Sequence, residues 1–540
     1  MNLRTALLLT VLAAIVAVET IWVRLNLEAF EPVLTSSLLF FQLVIAVTVI
    51  AVLRNLIGIK TFGVFGPAII ALGIAGTSFV TGLVIYIDIF LVAMVTSFAL
   101  HGLGMTSSHR VAIVVTLTAL TITILELVGE VFHAHQLEAA LLFPVLITAW
   151  LGDRFVSQVL ELDWVDPSKR LAGTFLAVVV AFIVMGVTPL VGFIALTPET
   201  WGPVILVNIA LAFKADLRLL ERRRFRPTIE ASGEASDVLG MNRRNRDIIE
   251  RYNPRHLFPS MSKDRMKVTF HQLGIPTPAT YAMVEGPEAL PHARREMERR
   301  ESFVIKPSRG YGGEGILVVT RKGDAYLVKG VRWTLDALMG HIKLILDGQF
   351  SRGLSDVAII EQRVVSDARI APYHAGGVPD VRVIVLEGFP IMAMTRLPTK
   401  ESQGAANLHK GAIGMGLTIA EGRGVNPFWR GHGGTVEVHP DTGARLRELT
   451  IPDWTRALEI ASLAQAASRL GYAGVDLVFD TSGPMVLEVN KRPGLEIQNT
   501  NLAGILKRIR HVEGKLLEHR FVPIPEKVRL AQRWDAEGWR

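Results

Sequence analysis

The chain has 540 residues, more than a single hydrophobic core normally holds, so at least two domains are expected. It carries 57 Lys and Arg against 50 Asp and Glu, a net charge of +7, and no cysteine, which excludes disulfides, thiolate catalysis and thiolate zinc sites. Charged residues are sparse before about residue 213 and frequent after it, and the positive mean hydropathy is unusual for a soluble enzyme.

The first part, residues 1–215, reads as an all-α transmembrane bundle of about eight helices. Apolar stretches cover roughly 6–23, 37–53, 64–81, 83–103, 111–130, 137–151, 171–196 and 201–213. Most approach the roughly 20 residues that cross hydrocarbon as helix. The sixth and eighth are shorter and read as tilted, interfacial or re-entrant. Glu19, Trp22 and Arg24 follow the first where a signal peptide would place small residues, so it reads as a retained anchor. Arg4, Arg54 with Lys60, Arg110, and Arg154 with Lys169 and Arg170 alternate with loops holding Glu28 and Glu31, Asp88, Glu138 and Glu199. Because cytoplasmic loops collect Lys and Arg, this alternation predicts eight crossings with both termini inside. Asp88, Glu126 and Glu130 lie in or near apolar spans, where an ionisable group is a functional suspect. Asp88 and Glu130 stand close enough to helix ends to reach headgroups instead. Pro67, Pro144, Pro189 and Pro203 read as kinks or helix starts.

Much of the basic excess follows, in Arg222, Arg223, Arg224 and Arg226. A polybasic run at the end of an apolar region suits anionic lipid, and no recognition motif accompanies it, so the lipid bilayer is the expected partner and nucleic acid is not. Residues 216–238 read as a basic juxtamembrane linker, polar and rich in Pro, Gly and Ser over 227–237. Residues 239–523 read as an α+β ligand-binding domain and 524–540 as a tail. Within the domain, 303–305, 357–360, 381–386, 391–394, 475–479 and 485–489 are short apolar runs suited to strands. Residues 454–470 carry helical spacing.

After the first of these runs, Lys306-Pro307-Ser308-Arg309-Gly310-Tyr311-Gly312-Gly313-Glu314-Gly315 delivers a lysine into a glycine-rich loop. Such a loop lets backbone N–H groups wrap phosphate oxygens, although an ordinary hairpin turn has the same composition. It is not a Walker loop, because the lysine precedes the glycines and no Lys-Ser/Thr ends them. A second constellation is Asp476, then Glu488-Val489-Asn490. Strand periodicity puts Glu488 and Asn490 on one face, and the turn 481–484 brings Asp476 back across a hairpin. Two carboxylates and an amide oxygen are hard donors that suit Mg²⁺, with Mn²⁺ as the alternative; solvated acids at a strand end would look alike.

The order Lys263, Lys306 with its glycine loop, Glu361, Asp380-Val381-Arg382, Arg396, Asn407-Leu408-His409-Lys410-Gly411, Asp476, Glu488 and Asn490 resembles the ATP-grasp ligases. Within that family it is most similar to the alpha-L-glutamate ligase homologues, relatives of the glutamate ligases that modify a ribosomal protein, and more distantly to D-alanine:D-alanine ligase. The resemblance covers roughly residues 239–509. The membrane half, at Thr61-Phe62-Gly63-Val64-Phe65-Gly66-Pro67 and Leu142-Phe143-Pro144, more faintly resembles the seven-helix domain usually attached to an inactive transglutaminase. The chain would then fuse the two, with one extra anchor helix in front.

The resemblance implies an ADP-forming ligase at the bacterial inner membrane that spends ATP to join a carboxylate and an amine through an acyl phosphate. Its substrate would be glutamate or another amino acid joined to a peptide or small acceptor, with other membrane or peptide-processing proteins as partners. Lys263 and Lys306 would neutralise ATP phosphates, and the loop with Arg309, Gly310, Gly312 and Gly313 would close over them. The backbone of Glu361, Gln362 and Val364 would form the adenine hinge. Asp476, Glu488 and Asn490 would hold Mg²⁺. Arg396, helped by Arg382, would steady developing charge, with Asp380 orienting Arg382 or forming a structural ion pair. Asn407, His409, Lys410 and Arg492 would face the acceptor, His409 serving equally well as a loop hydrogen-bonder. Ser262, Glu314 and Lys491 depart from the family pattern. A silent ATP-binding sensor coupled to the membrane helices is the competing reading; an ATP-driven transporter and a scaffold leave these motifs unexplained.

Overall fold

A computed structural model describes residues 3–36, 38–75, 79–101, 107–131, 142–161, 164–310, 315–351, 354–430, 432 and 434–539. The chain divides into two compact units, Met1–Leu220 and Glu221–Arg540.

Within the described residues the apolar stretches of the first unit are helical: α1 (Leu3–Leu25), α2 (Leu27–Ser36), α3 (Leu38–Val52, continued by a π turn to Ile57), α4 (Phe65–Ala75), α5 (Phe79–His101), α6 (Ser107–Val131), α7 (Leu142–Glu161), α8 (Val165–Met185), α9 (Thr188–Leu196) and α10 (Trp201–Lys214). Among the described residues four helices are long and apolar enough to cross a membrane: Leu7–Leu25, Leu38–Ile57, Phe79–Leu100 and Val165–Met185. Thr188–Leu196 with Pro198–Phe213, bent by 97°, adds a fifth if it is one broken span. The expected single stretch over 171–196 is thus two helices, broken at Gly186–Val187, with Pro189 in the first turn of α9, where its missing N–H costs nothing.

Hydrocarbon supplies little drive for helices to associate, so small residues bring backbones together. A Cβ on Gly152 of α7 would lie 2.7 Å from Ala93 of α5, and one on Gly173 of α8 would lie 2.2 Å from the Lys60 carbonyl. Arg110, expected in a loop, is instead inside α6 and buried, its Nε donating to Asp153 Oδ1 of α7 at 2.8 Å. Ser97 of α5 donates to the same oxygen at 2.6 Å. Glu126 and Glu130 stand on α6, but their side chains lie outside the described residues.

In the second unit the expected linker is helical, in α11 (Leu219–Arg224, which runs through the boundary), α12 (Arg226–Ser232) and a 3-10 turn at Ala235–Asp237. Its polar groups are spent on tertiary hydrogen bonds. Arg224 donates twice to Glu496 Oε2, Thr228 donates to Asn499, and Gln498 exchanges two bonds with the Leu239 backbone. Short turns α13 (Met241–Arg243) and α14 (Glu250–Tyr252) lead to α15 (Lys263–Gln272).

Two antiparallel sheets follow. The first has the order β1-β6-β2-β3-β4-β5, from β1 (Thr280–Val284), β2 (Ser302–Pro307), β3 (Leu317–Lys322), β4 (Ala325–Val328), β5 (Val331–Trp333) and β6 (Ala358–Glu361). Helices α16 (Leu290–Glu298) and α17 (Leu335–Leu346) close its core around Phe303, Ile305, Leu338 and Ile342. The second has the order β11-β10-β9-β8-β7-β12-β13, from β7 (Asp380–Leu386), β8 (Phe389–Leu397), β9 (Ile413–Leu417), β10 (Gly424–Trp429), β11 (Gly434–Thr435), β12 (Tyr472–Asp480) and β13 (Gly483–Asn490). Helix α18 (Trp454–Ala467) packs on β12 and β13; α19 (Ile497–Asn501), α20 (Leu506–His519) and α21 (Ile524–Ala536) complete the unit, so 524–536 is a packed helix rather than a free tail.

The Arg110–Asp153 pair generates a prediction. Asp153→Ala leaves a buried guanidinium without its charge partner and is expected to cost about 3 kcal/mol or more. That is a fall of roughly 6 °C or more in the melting temperature of the detergent-solubilised chain. The double replacement Arg110→Met, Asp153→Leu should recover most of it, and an unchanged melting temperature in Asp153→Ala would remove the pair from the stability of the bundle.

Candidate active site

The side chains of interest gather on one face of the second sheet because residues two apart on a strand share a face. Asp380 and Arg382 are two apart on β7, and pairing sets Asp380 opposite Arg396 of β8, Arg382 opposite Asp476 of β12, and Asp476 opposite Glu488 of β13. Asn490, two beyond Glu488, joins them. The alternating positions Val381, Val383, Val475 and Leu477 are buried.

These groups form one network. Arg382 grips Asp476 with two bonds, Nε to Oδ1 at 2.7 Å and Nη2 to Oδ2 at 2.6 Å. Arg396 grips Asp380 with two bonds, Nε to Oδ1 at 2.6 Å and Nη2 to Oδ2, and reaches Asp476 Oδ2 at 2.9 Å. Asp380 therefore orients Arg396, not Arg382, because cross-strand register rather than sequence proximity decides its partner. Burial opposes ionisation of Asp476, but the Arg382 and Arg396 charges outweigh it and hold the carboxyl below its ordinary range. Asp380 has one guanidinium and faces the Asp476 charge, and burial drives its carboxyl up. Asn490 Nδ2 donates to Glu488 Oε1 at 3.0 Å and to Asp476 Oδ2 at 3.2 Å. Lys263, the first residue of α15, brings its Nζ to 3.5 Å from Glu488 Oε2 and donates to the Gly310 carbonyl at 3.3 Å.

Lys306 belongs to a second cluster on the first sheet. Its Nζ lies 2.5 Å from Glu361 Oε1, and Lys267 Nζ lies 2.7 Å from Glu361 Oε2. All three are buried. Burial works against the Glu361 carboxylate, but Lys306 and Lys267 together lower its pKa; burial and the Lys306 charge lower that of Lys267. Sequence reasoning missed Lys267. Its signal was the spacing, since four residues after Lys263 on a helix is the same face.

The ends of the glycine loop are tied down. The Arg309 N–H donates to both Asp356 carboxylate oxygens at 3.0 Å, and the ring of His341 meets the Gly315 carbonyl at 2.8 Å. Gly315 has φ +67°, and a Cβ there would lie 2.7 Å from the Phe350 ring. Gly312 and Gly313 lie outside the described residues. At the hinge, Gln362 N–H donates to Ala279 O at 2.8 Å and its Oε1 accepts from Ala279 N–H at 3.1 Å, so that segment is tied to the lead into β1. Val364 follows two residues later, half-buried and beyond the strand.

The acceptor candidates divide. Asn407 Oδ1 accepts from the His409 N–H and so caps the turn Leu408–Lys410; Arg430 Nη1 lies 2.9 Å from His409 Nδ1. Lys410 stands exposed beside them. Leu397 pairs with Ile413, and Ile413 with Trp429, one rung past Arg396, so this group lies at the Arg396 end of the sheet. Trp429 stacks on His432 at 3.8 Å, and His432 bonds Glu401 at 2.8 Å; none of these three was singled out in the sequence. Arg492 is not brought to this group. Its guanidinium lies 5.5 Å from the Phe258 ring centre, beside Lys491 at 4.6 Å.

The donor chemistry fits a hard divalent cation. Two carboxylates and an amide converge although like charges repel, and Arg382, Arg396 and Lys263 offset them. Among the described residues no three His, Asp or Glu gather around one point, so oxygens from a bound phosphate would complete the shell.

Residues 243–514 match the family model described as sugar-transfer associated ATP-grasp. The chain belongs to that family. Residues 6–229 match the model described as seven transmembrane helices usually fused to an inactive transglutaminase. The ATP-grasp unit is therefore joined to a multi-pass membrane domain. No curated protein matches the chain. Among solved structures, the ATP-grasp ligase PsnB complexed with a phosphomimetic variant of minimal precursor, Mg and ADP is 15% identical, with 45% of this chain and 53% of that chain covered and a TM-score of 0.24. D-alanine–D-alanine ligase from Bacillus anthracis complexed with ATP is 16% identical over 51% and 67%, with a TM-score of 0.27. Biotin carboxylase from Campylobacter jejuni is 15% identical over 51% and 47%, with a TM-score of 0.29. The match spans about half to two thirds of each of those chains.

Removing one lysine from the Lys306–Glu361–Lys267 cluster leaves the buried acid half-compensated. Lys267→Met is expected to lower stability by about 3 kcal/mol, read as a fall in the denaturant midpoint of the ATP-grasp unit within the full chain. Lys267→Arg should fall less. A midpoint equal to wild type in Lys267→Met would show that the cluster contributes nothing.

Proposed function

We propose that the ATP-grasp unit is an active, ADP-forming carboxylate–amine ligase, held at the cytoplasmic face of a bacterial inner membrane with both termini inside. The observation that carries this reading is the network around Asp476, in which two arginines, two further acids and an amide share one sheet face and Lys263 reaches it from α15. A protein that only senses ATP has no need of two guanidiniums beside its metal carboxylates. They suit a reaction in which charge develops on a transferring phosphoryl group and then on the oxygen of an acyl group under attack.

In this reading Lys263 and Lys306 bind the ATP phosphates, together with the loop residues Arg309, Gly310, Gly312 and Gly313. The backbone of Glu361, Gln362 and Val364 takes the adenine. Asp476, Glu488 and Asn490 would hold Mg²⁺, which would supply positive charge to offset the phosphates. Arg396, oriented by Asp380, and Arg382, oriented by Asp476, face the carboxylate that attacks the γ-phosphate. The acyl phosphate so formed is then attacked by the amine, and phosphate leaves. Asn407 shapes the turn that presents His409 and Lys410 to an acceptor, and exclusion of water there protects the intermediate from hydrolysis. Arg492 completes the acceptor side only if it leaves the Phe258 ring. The resemblance to glutamate ligases makes glutamate the first carboxylate or amine to test.

ADP release by the purified full chain, with Mg²⁺ and a panel of amino acids and short peptides, tests the proposal. Amino-acid-dependent ADP formation is the expected result. Glu488→Gln should lower it about 10- to 100-fold or more, and Arg396→Ala about 100-fold or more with nucleotide binding retained. Nucleotide binding without turnover under every condition would favour the sensor, and full activity in Glu488→Gln would remove the metal assignment.

A further inference from the structure

Among the described residues of the membrane unit, one half-buried cation has no carboxylate partner. Arg54 lies in the π turn that ends α3, half-buried, and donates from Nη1 to the neutral Thr61 hydroxyl at 3.0 Å. Among the described residues no carboxylate pairs with it, and the charges that act on it most are those of Arg218 and Arg170. Lys60 and Arg170 share Asp166, at 2.5 and 2.8 Å, and Asp216 is the acid nearest in sequence to Arg218. Of the residues just named, Arg54, Lys60, Arg170 and Arg218 are basic and Asp166 and Asp216 acidic. A half-buried guanidinium at a membrane-helix end, crowded by like charges, is costly unless an anion joins it.

A second feature leads to the same place. A groove of about 580 Å³ runs between α3, the start of α4 and α10, lined by Val47, Phe65, Ile205 and Phe213, with Thr48 and Asn208 hydrogen-bonded to each other at 3.1 Å as its polar pair. Its volume is within the roughly 300–1,000 Å³ of ligand pockets. Each wall ends at the cations. Arg54 is about two turns beyond Val47 on the same helix and so on about the same face. Thr61, which receives Arg54, is four residues before Phe65, and Arg218 is five after Phe213. Arg218 packs on Gly58, its Cβ 3.1 Å from where a Gly58 side chain would begin.

We propose that this groove and its basic mouth form a binding site for a membrane lipid with a phosphate headgroup, the hydrocarbon chain along α3 and α10 and the phosphate on Arg54. The groove alone would accept any acyl chain, and the arginines alone would accept any anion. Together they select a molecule that has both. The site lies wholly in the membrane unit and does not depend on the ligase chemistry of the other.

The test uses the full chain stripped of lipid in mild detergent, with melting temperature read against added dioleoylphosphatidylglycerol, dioleoylphosphatidylcholine or inorganic phosphate. Phosphatidylglycerol is expected to raise the melting temperature by about 3 °C more than phosphatidylcholine does, and inorganic phosphate should not reproduce the shift. Arg54→Gln should abolish the difference and Arg54→Lys retain most of it. Val44→Trp, a change at an exposed position lining the groove, should abolish it without disturbing the core. Equal shifts with the two lipids in the wild type would overturn the proposal. So would a difference that survives both Arg54→Gln and Val44→Trp, or a shift that phosphate alone reproduces in full.

Discussion

The carboxylate of Asp476 is the constraint around which the ATP-grasp unit is arranged. It is 2% exposed, and an ion so buried costs several kcal/mol unless paired and hydrogen-bonded. Arg382 and Arg396 supply the pairing, and both must arrive on the same face from separate strands. That fixes the register of β13, β12, β7 and β8 together, because a slip of one residue would send every side chain of a strand to the other face. Val383, Val475 and Leu477 would then meet the charges, and Arg382 and Asp476 would enter the core beneath α18. The apolar face and the charged face specify the same alignment.

Charge balance separates the two sheets. Around Asp476, three acids (Asp380, Asp476, Glu488) meet three bases (Arg382, Arg396, Lys263). In the other sheet one acid, Glu361, meets two bases, Lys306 and Lys267. A polyphosphate is drawn to the second cluster by its excess charge, but beside the first it would add negative charge to a balanced set. A divalent cation held by the carboxylates would offset that charge, which is a physical reason for the proposed ligase to need Mg²⁺.

Much of this was legible in the sequence, and the exceptions share a cause. Local apolar runs located β2, β6, β7, β8, β12 and β13 but not β1, β3, β4, β5, β9, β10 or β11, and local sequence also showed the lysine before the glycine loop and the Asp476–Glu488 hairpin, since a two-residue turn at Thr481-Ser482 leaves little choice of partner. What depends on distant neighbours was not legible. Asp380 and Arg382 are adjacent on one face, yet Asp380 holds Arg396 because β8 pairs there. Lys267 looks like a solvated helix lysine until Glu361 is brought beneath it. Arg110 sits at the edge of an apolar stretch and reads as a loop charge; only the packing of α6 on α7 shows that Asp153 and Ser97 draw it inside. Eight apolar stretches were read, and within the described residues they are helical, but only four helices there are long and apolar enough to cross, and Thr188–Leu196 meets Pro198–Phe213 at a 97° bend.

Residues 221–239 show how composition misleads when polar groups have tertiary partners. The segment has the Pro, Gly, Ser and Arg content of a linker, yet Thr228 is fully buried and Arg224 is bound to Glu496. The partners Glu496, Gln498 and Asn499 come from the run that leaves β13 just after Glu488 and Asn490. That run lies close on β12: a Cβ on Gly474 would be 2.7 Å from Pro493, so only glycine fits two residues before Asp476. Arg244 adds a bond to the Pro493 carbonyl at 2.9 Å. The chain that enters the ATP-grasp unit is thereby fastened to the loop beside its proposed metal ligands. A displacement of Arg224 would be felt at Glu496, six residues from Asn490, through a short, hydrogen-bonded path rather than through a flexible tether.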